Sequence, residues 1–447
     1  MTTDGKRRPA ASSWPDSLLA PLRALPDDGP LLIALSGGMD SVVLLHAAVH
    51  CLAERPGGLA ALHINHQLQT NADDCEAFCR ELCASLGVAC QVTRVTVPQG
   101  TAGGHGGLEA AAREARYQVF EAALAQGGTL LMAHHQDDQA ETVLFRLLRG
   151  SGPAGLAGMP RQRPLGGGRL VRPFLEFSRQ QLQGWADSAG YRWVEDPSNQ
   201  DTGFDRNFLR HRVLPLLKQR WPTVLKRLQR SAEACDEGAQ LAASLARLHH
   251  QQVASCDGGL RVAELARLTG PEQKNLLRWW IGQRGLPVPE RQDWRASLAE
   301  LTDAGEDRQP ELVGQGFVLR RYRGTLYLVT AEQRLPEPCW LEPGRPTRWG
   351  DWRLTLEPVV VPSTQIPKIR LSTRQGGERL RPDSDGPSRA LKTWLQEQAV
   401  PPWERARLPV LTELGEVVAV GDFWISPKYA GAAPERGWRI VVERYCD

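Results

Sequence analysis

The first half of the chain alternates short apolar runs with longer stretches of helical periodicity. LLIALS (31–36) is a compact apolar run that ends at a glycine pair, as a buried strand does. Residues 40–53 then place Val43, Leu44, Ala47, Ala48 and Leu52 at helical spacing. LAALHIN (59–65), QVTRVTV (91–97) and GTLLMAHH (128–135) read as three further strands, the last leading into a helix over Asp137 to Leu148. That helix opens on acids and closes on arginines, both favourable to its dipole. Strands alternating with helices predict an α/β domain, a doubly wound parallel sheet with helices on its faces.

Beyond this region the pattern changes. Residues from Asn207 to Gln252 are helical in periodicity, interrupted at Pro215 and Pro222, and 260–300 read as shorter helices rich in Leu, Trp and Arg. FVLRRYRGTLYLV (317–329) alternates like paired strands around a turn at Arg323-Gly324. A Pro-rich stretch, EQRLPEPCWLEPGRP (332–346), marks a boundary, after which come short strands and one helical stretch near Ser388–Gln398. The expected organisation is an α/β domain over 1–218, a mainly helical middle domain over 219–335 and a small α+β domain over 345–447. Two Gly-rich stretches, QGTAGGHGG (99–107) and RGSGPAGLAGMPRQRPLGGG (149–168), read as flexible loops.

Composition narrows the class. A chain of 447 residues with 41% hydrophobic and 23% charged residues is that of a multidomain globular protein. No apolar run is long enough to span a bilayer, and the basic N-terminus lacks the apolar core of a signal peptide. The cytoplasm is the expected compartment, with no membrane contact. Nine cysteines, an odd and scattered set, imply reduced thiols. Cys75, Cys79 and Cys83 recur every fourth residue without a C-x-x-C pair, so they read as small hydrophobes on one helical face. The net charge of +3 says little, but residues 161–230 hold 14 Lys/Arg against 6 Asp/Glu. Such a concentration suits a polyanion, nucleic acid above all, or else a solvated helix face.

The candidate chemistry lies at the ends of predicted strands. After the first strand comes SGGMDS, in which Gly37 and Gly38 let the backbone bend and approach an anion. Amide N–H groups there and at the following helix start form a positive concavity, Ser36 and Ser41 add hydroxyls, and Asp40 can hold magnesium or cap the helix. The Walker pattern is absent. SGG-x-DS in this strand–turn–helix setting is similar to the fingerprint of PP-loop, or N-type, ATP pyrophosphatases, which cleave ATP between the α and β phosphates. After the fourth strand, AHHQDDQAET supplies His134, Asp138 and Glu141; the two acids are three apart on a helix and face the same way. They suit magnesium or a substrate ammonium. HINH places His63 and Asn65 at a strand end, where adenine or ribose can be met, and EAAAREARY puts Arg113 and Arg116 on one helix face, aimed at phosphates.

Together SGGMDS, HINH, EAAAREARY, HHQDDQAET and RGSG, in that order, resemble the pattern of the bacterial tRNA(Ile)-lysidine synthetases. VRPF (171–174) and EDPSNQDTGFDRNFLRHRVLP (195–215), with Asp196, Asn199, Arg206, Asn207 and Arg210, resemble that family's later signatures, and residues 373–411 its terminal domain. The resemblance implies a PP-loop fold and a ligase that uses ATP and Mg2+. It would adenylate carbon-2 oxygen of the wobble cytidine in a minor isoleucine tRNA with a CAU anticodon, then join free L-lysine at carbon 2 with loss of AMP. By family position Ser36, Gly37, Gly38, Asp40 and Ser41 would hold ATP and magnesium, Asp138 and Glu141 magnesium or lysine, and Arg113 and Arg116 the developing charge. His134, Asp138 and Glu141 are the candidate proton acceptors. Arg206, Arg210, Arg379, Arg381 and Arg405 would grip tRNA, and no obligatory protein partner is implied. The rivals are a PP-loop tRNA thiolase, against which the missing C-x-x-C speaks, and a non-catalytic RNA-binding relative, against which the intact acids speak.

Overall fold

The structure is a computed structural model that describes residues 14–27, 29–52, 57–67, 71–96, 105–195, 201–289, 294–303, 310–330, 336–359, 366–382, 386–431, 434 and 437–445. The chain divides into two compact units, residues 1–242 and 243–447.

The first unit is built on a six-stranded sheet. Its elements run α1 (Asp16–Arg23), β1 (Leu31–Ala34), α2 (Met39–Leu52), β2 (Leu59–Asn65), α3 (Ala72–Leu86), β3 (Ala89–Arg94), α4 (His105–Ala123), β4 (Thr129–Leu131) and α5 (Gln136–Leu148). There follow α6 (Pro153–Leu156), β5 (Gln162–Leu165), β6 (Gly168–Val171) and α7 (Arg179–Ser188). The order across the sheet is β3-β2-β1-β4-β6-β5, with only β5 antiparallel to its neighbour. Leu31 of β1 stands beside Leu59 of β2 on one side and Thr129 of β4 on the other. The chain therefore leaves β1 in one direction and returns on its far side at β4, which makes the β1/β4 edge the topological switch point where such sheets bind ligands.

Alternation along β1 explains the layering. Leu31 and Ile33 pack with Val43, Leu44, Ala47 and Leu182 on one face, while Leu32 packs with Leu62, Phe120, Leu124 and Leu170 on the other. Both faces are covered, which is why the strands read as continuous apolar runs. Each fully buried side chain of the size of Phe120 or Phe174 contributes about 1.5–3 kcal/mol by burial.

All four expected strands and the two helices after β1 and β4 are present, but β3 begins two residues before the expected 91–97, whose residue 97 lies outside the described residues, and β4 covers only three residues of the expected 128–135. The stretch 149–168 does not stay flexible. It forms α6 and β5 and is pinned to α5, where Arg146 Nη1 donates to the carbonyls of Gly155 and Gly158 at 2.7 Å each. Gln139 completes the attachment by a reciprocal pair with the Met159 backbone, at 3.1 and 2.7 Å. Gly density hid an ordered segment whose hydrogen bonds come from polar side chains on a neighbouring helix. Of the stretch 99–107, residues 99–104 lie outside the described residues, as do Asp196 and Asn199.

After α8 (Asp205–Phe208), a π-helical turn (Leu209–Val213) and α9 (Leu214–Arg220), the long helix α10 (Val224–Val253) leads into the second unit. There α11 (Val262–Leu265), α12 (Gly270–Gln283) and α13 (Trp294–Asp303) pack with a four-stranded antiparallel sheet around Leu276, Trp280, Trp294, Phe317 and Leu326. The predicted hairpin is present, with Arg323 (φ 47°) and Gly324 (φ 74°) in its turn and Tyr322 opposite Thr325. The C-terminal part is a set of antiparallel sheets of five, three and two strands with short helices at Leu391–Glu397 and Pro402–Arg405, closing over Trp349, Leu354, Leu395 and Tyr429.

Candidate active site

The turn between β1 and α2 is held by its own hydroxyls. Ser41 Oγ donates to the Gly38 carbonyl at 2.9 Å, and it lies 3.1 Å from Ser36 Oγ and 3.2 Å from the Ser36 amide. Gly37 has φ +84°, and a Cβ there would fall 2.7 Å from Cys75 Sγ and 3.2 Å from Cys79 Sγ. Conformation and space both therefore demand glycine at this position. Asp40 follows in the first turn of α2; its Oδ1 is buried and bonded to nothing among the described residues.

Next to this turn, at the end of β4, α5 begins with a capping arrangement. His135 is the N-cap: its amide donates to Asp138 Oδ2 at 3.0 Å, and its Nδ1 accepts from the Asp138 amide at 3.4 Å. The same imidazole turns Nε2 toward Asp138 Oδ2 at 3.4 Å and Asp40 Oδ2 at 3.6 Å. Asp40 and Asp138, expected together from the sequence, thus converge on one nitrogen. Burial opposes a charged His135, but Asp138 and Asp40 outweigh it and its pKa is raised. A carboxylate pair with a bare buried oxygen fits a hard, oxygen-seeking cation.

Glu141 lies one turn further along α5, 2% exposed. Its Oε1 and Oε2 accept from Arg210 Nε at 2.6 Å and Nη2 at 2.9 Å, and Nη2 also reaches Asp138 Oδ1 at 2.8 Å. Burial, with repulsion from Asp138, raises the Glu141 pKa despite this guanidinium. For Asp138 burial is outweighed by His135, His134 and Arg210, and its pKa is lowered. Arg210, expected to meet tRNA, is instead committed to the two acids. Arg206, one turn before it, donates to Thr142 Oγ1 at 3.1 Å.

His134 sits beside the same acids with its Nδ1 accepting from Arg172 Nε at 3.2 Å. Arginine can only donate, so Nδ1 carries the lone pair and Nε2 the proton. Burial, reinforced by the nearby arginines, lowers the His134 pKa to about 4. Arg172 comes from the VRPF motif and is itself fixed by the Pro160 carbonyl at 2.7 Å.

The remaining expected residues divide. Arg116 Nε faces His66 Nε2 at 3.4 Å at the end of β2, whereas Arg113 is exposed with its guanidinium over Tyr117 at 5.0 Å. His63 and Asn65 are buried, and each is tied by one hydrogen bond or more to a neighbouring element. His63 Nδ1 donates to the Leu35 carbonyl at 2.9 Å, and Asn65 Nδ2 donates to Glu76 Oε2 at 3.0 Å, tying β2 to α3. In the second unit, Arg379 and Arg381 are exposed, but Arg405 is buried. Its guanidinium bonds the Val400 carbonyl at 2.7 Å and Tyr322 Oη at 3.0 Å, the arrangement of a core arginine and not of a phosphate contact. The sequence shows His135 within the AHHQDDQAET cluster and Arg172 within VRPF, but assigns neither a role in the site. The N-cap position of His135 before an acid-rich helix start was the available signal.

The comparisons with known proteins agree with this geometry. The chain matches the PP-loop domain, an ATP-using module, over residues 16–217, the TilS substrate binding domain over 260–327 and the TilS substrate C-terminal domain over 369–442. It is 40% identical over 459 residues to the tRNA(Ile)-lysidine synthase of Alkalilimnicola ehrlichii, covering 98% of each chain. The chain belongs to the tRNA(Ile)-lysidine synthase family. Its similarity to the tRNA(Ile)-lysidine synthases of Coxiella burnetii (37% identity, 96% of each chain) and Pseudomonas aeruginosa (40%, 94% of each chain) is of the same extent. The turn after β1 and the acid cluster after β4 both lie within the matched PP-loop domain. Among the described residues no helix is long and apolar enough to cross a membrane.

Proposed function

We propose that the chain adenylates the wobble cytidine of a CAU-anticodon isoleucine tRNA and then joins free L-lysine to it. The observation that carries this reading is the convergence of the SGGMDS turn with Asp138 and Glu141 at neighbouring strand ends, in a chain similar to lysidine synthases over almost its full length. Residues 1–218 form the catalytic domain, and 219–335 and 345–447 bind tRNA, with exposed Arg379 and Arg381 on phosphates.

Ser36, Gly37, Gly38 and Ser41 hold the ATP phosphates through amides and hydroxyls, as strand–turn–helix anion sites do. Asp40 and Asp138 are the residues that would hold Mg2+, which when bound supplies charge neutralisation at the phosphates. In the first step the cytidine carbonyl oxygen bonds to the α-phosphorus and pyrophosphate leaves. Arg116 and Arg113 offset the charge that develops. In the second step the lysine amine bonds to carbon 2 and AMP departs with the former carbonyl oxygen, which turns a poor leaving group into a good one.

The amine must lose a proton as it attacks. His134 offers an N–H on its outer nitrogen, so it serves as a donor that orients substrate. Glu141, held above the ordinary carboxylate range by burial, is matched to accepting that proton, with Arg210 fixing its orientation. The test is ATP consumption with and without unmodified tRNA. AMP and pyrophosphate should form only when the tRNA is present. Asp138→Asn should abolish their formation, whereas Glu141→Gln should still release pyrophosphate from tRNA and ATP yet fail to transfer lysine. Full lysine transfer by Glu141→Gln would remove it as the proton acceptor.

A further inference from the structure

Behind the phosphate turn lies a cluster that the nucleotide chemistry does not use. A ring nitrogen of His63 and the sulfurs of Cys75 and Cys79 lie within 4.8 Å of one another. The topology brings them together: β2 is hydrogen-bonded to β1, and α3 packs across both β2 and β3. Cys75 and Cys79 stand one turn apart on α3, so their sulfurs face the same way. Cys79 is fully buried, His63 is 4% exposed and Cys75 is partly open to solvent, which leaves a route of entry.

The His63 imidazole is held in one tautomer. The Leu35 carbonyl can only accept, so Nδ1 carries the proton and Nε2 the lone pair. That Nε2 is buried and has no hydrogen-bond partner among the described residues. An orphaned buried acceptor costs about 1–3 kcal/mol. A histidine locked by a backbone carbonyl with its second nitrogen bare is oriented as metal-ligating histidines are. Simple core packing, the role that the four-residue spacing of the cysteines suggests, leaves the orphaned nitrogen unexplained.

We propose that His63, Cys75 and Cys79 form a binding site for a thiophilic divalent cation of the zinc class, and that its occupation alters the phosphate turn. In a tetrahedral site with Zn–S about 2.3 Å and Zn–N about 2.0 Å, donors stand roughly 3.5–3.8 Å apart. Separations within 4.8 Å therefore need to contract by no more than about 1.3 Å. On binding, the two thiols release their protons to solvent and become thiolates, His63 contributes its lone pair, and a water fills the fourth position. Nothing is oxidised or reduced. Two sulfurs exclude magnesium and calcium, which take oxygen ligands.

The coupling to the turn is direct. Cys75 Sγ donates to the Ser36 carbonyl at 3.0 Å, and the space above Gly37 is filled by the two sulfurs. A metal-bound thiolate has no proton to donate, so occupation removes the Cys75–Ser36 hydrogen bond and draws both sulfurs away from the backbone that holds phosphate. ATP affinity should fall several-fold.

The test uses the full-length, reduced, metal-free protein titrated with Cd2+ and, separately, Zn2+. Cd2+ reports thiolate binding by sulfur-to-metal charge-transfer absorption. One equivalent should bind with that absorption, and ATP, followed with a fluorescent analogue, should bind several-fold more weakly. Cys75→Ser with Cys79→Ser should lose this equivalent and the effect on ATP, and His63→Gln should weaken the metal roughly tenfold or more. Should the double variant fail to fold, Cys75→Ala, at the partly open position, decides the matter alone. Undiminished Cd2+ absorption in folded Cys75→Ala overturns the site, and metal binding with unchanged ATP affinity overturns its coupling to the turn. Both readouts are independent of lysine transfer.

Discussion

Replacing Arg210 with Met removes the guanidinium that clamps Asp138 and Glu141. The Arg210 side chain is 30% exposed, Asp138 18% and Glu141 only 2%, and three contacts of 2.6–2.9 Å are lost. Taking one partner from a buried ion pair costs about 3–5 kcal/mol, chiefly because the other charge is stranded. The partial exposure of Arg210 puts this cluster at the lower end, about 3 kcal/mol. Glu141, whose pKa burial already raises, will take up a proton before it bears the whole penalty. For a unit of this size, about 3 kcal/mol lowers the melting temperature by about 6–12 °C. Adding Glu141→Gln to the same chain removes the stranded charge and should restore most of the stability while lysine transfer stays lost. The assay is thermal and urea denaturation of the two single variants and the double, followed by circular dichroism, closed as a double-mutant cycle. A coupling of about 2 kcal/mol or more is expected. A change below about 0.5 kcal/mol in Arg210→Met, or simple additivity in the double, would refute the clamp.

Other consequences can be checked separately. His46, His66 and His134 have pKa values lowered to about 4, chiefly by burial. Their unfolded value is 6.5, so between pH 6.5 and about 4 the unfolded chain binds three more protons and stability is lost as pH falls. His135 acts oppositely: its raised pKa contributes stability at low pH that fades as pH rises past 6.5. The net expectation is a lower urea midpoint at pH 5 than at pH 7, and a flat or inverted profile would contradict it. Gly37→Ala should raise the ATP concentration needed for turnover, since a left-handed φ of +84° costs a side chain about 1–2 kcal/mol before any contact with sulfur; unchanged ATP binding would contradict the tight turn. Arg405→Ala should destabilise the second unit by about 3 kcal/mol through one buried and one partly buried hydrogen bond, with tRNA affinity changed little at permissive temperature. Truncation before residue 345 should weaken tRNA binding and spare ATP binding, as filter binding and nucleotide titration would reveal.

How far the sequence could be read depends on the kind of signal. Short apolar runs located β1, β2 and β4, and helical periodicity located α2 and α5, because strands covered on both faces read as apolar runs too short for a helix. The glycine turn before α2 and the acids Asp138 and Glu141 on one face of α5 were legible because turn and helix spacing are local, and the structure brings Asp40 and Asp138 to one imidazole. What escaped depended on contacts distant in sequence. Arg210 lies 69 residues from Glu141, and no local pattern distinguishes an arginine that clamps acids from one that meets phosphate. Arg405 looked like surface charge but is enclosed by a tyrosine 83 residues away. The thiols of α3 read as apolar, and Cys79 and Cys83 do stand in the hydrophobic core; their spacing could not show that His63, from β2, lies against Cys75 and Cys79. The ordered stretch 149–168 was hidden by its glycines, since side chains of α5 and the pairing of β5 with β6 hold it in place.

The direct test of the site is the formation of lysidine on tRNA. Purified protein given magnesium-ATP, radiolabelled L-lysine and unmodified isoleucine tRNA with a CAU anticodon should transfer label to the tRNA, with one AMP and one pyrophosphate released per lysine. Absence of label in the tRNA, from protein that still binds ATP, would contradict it.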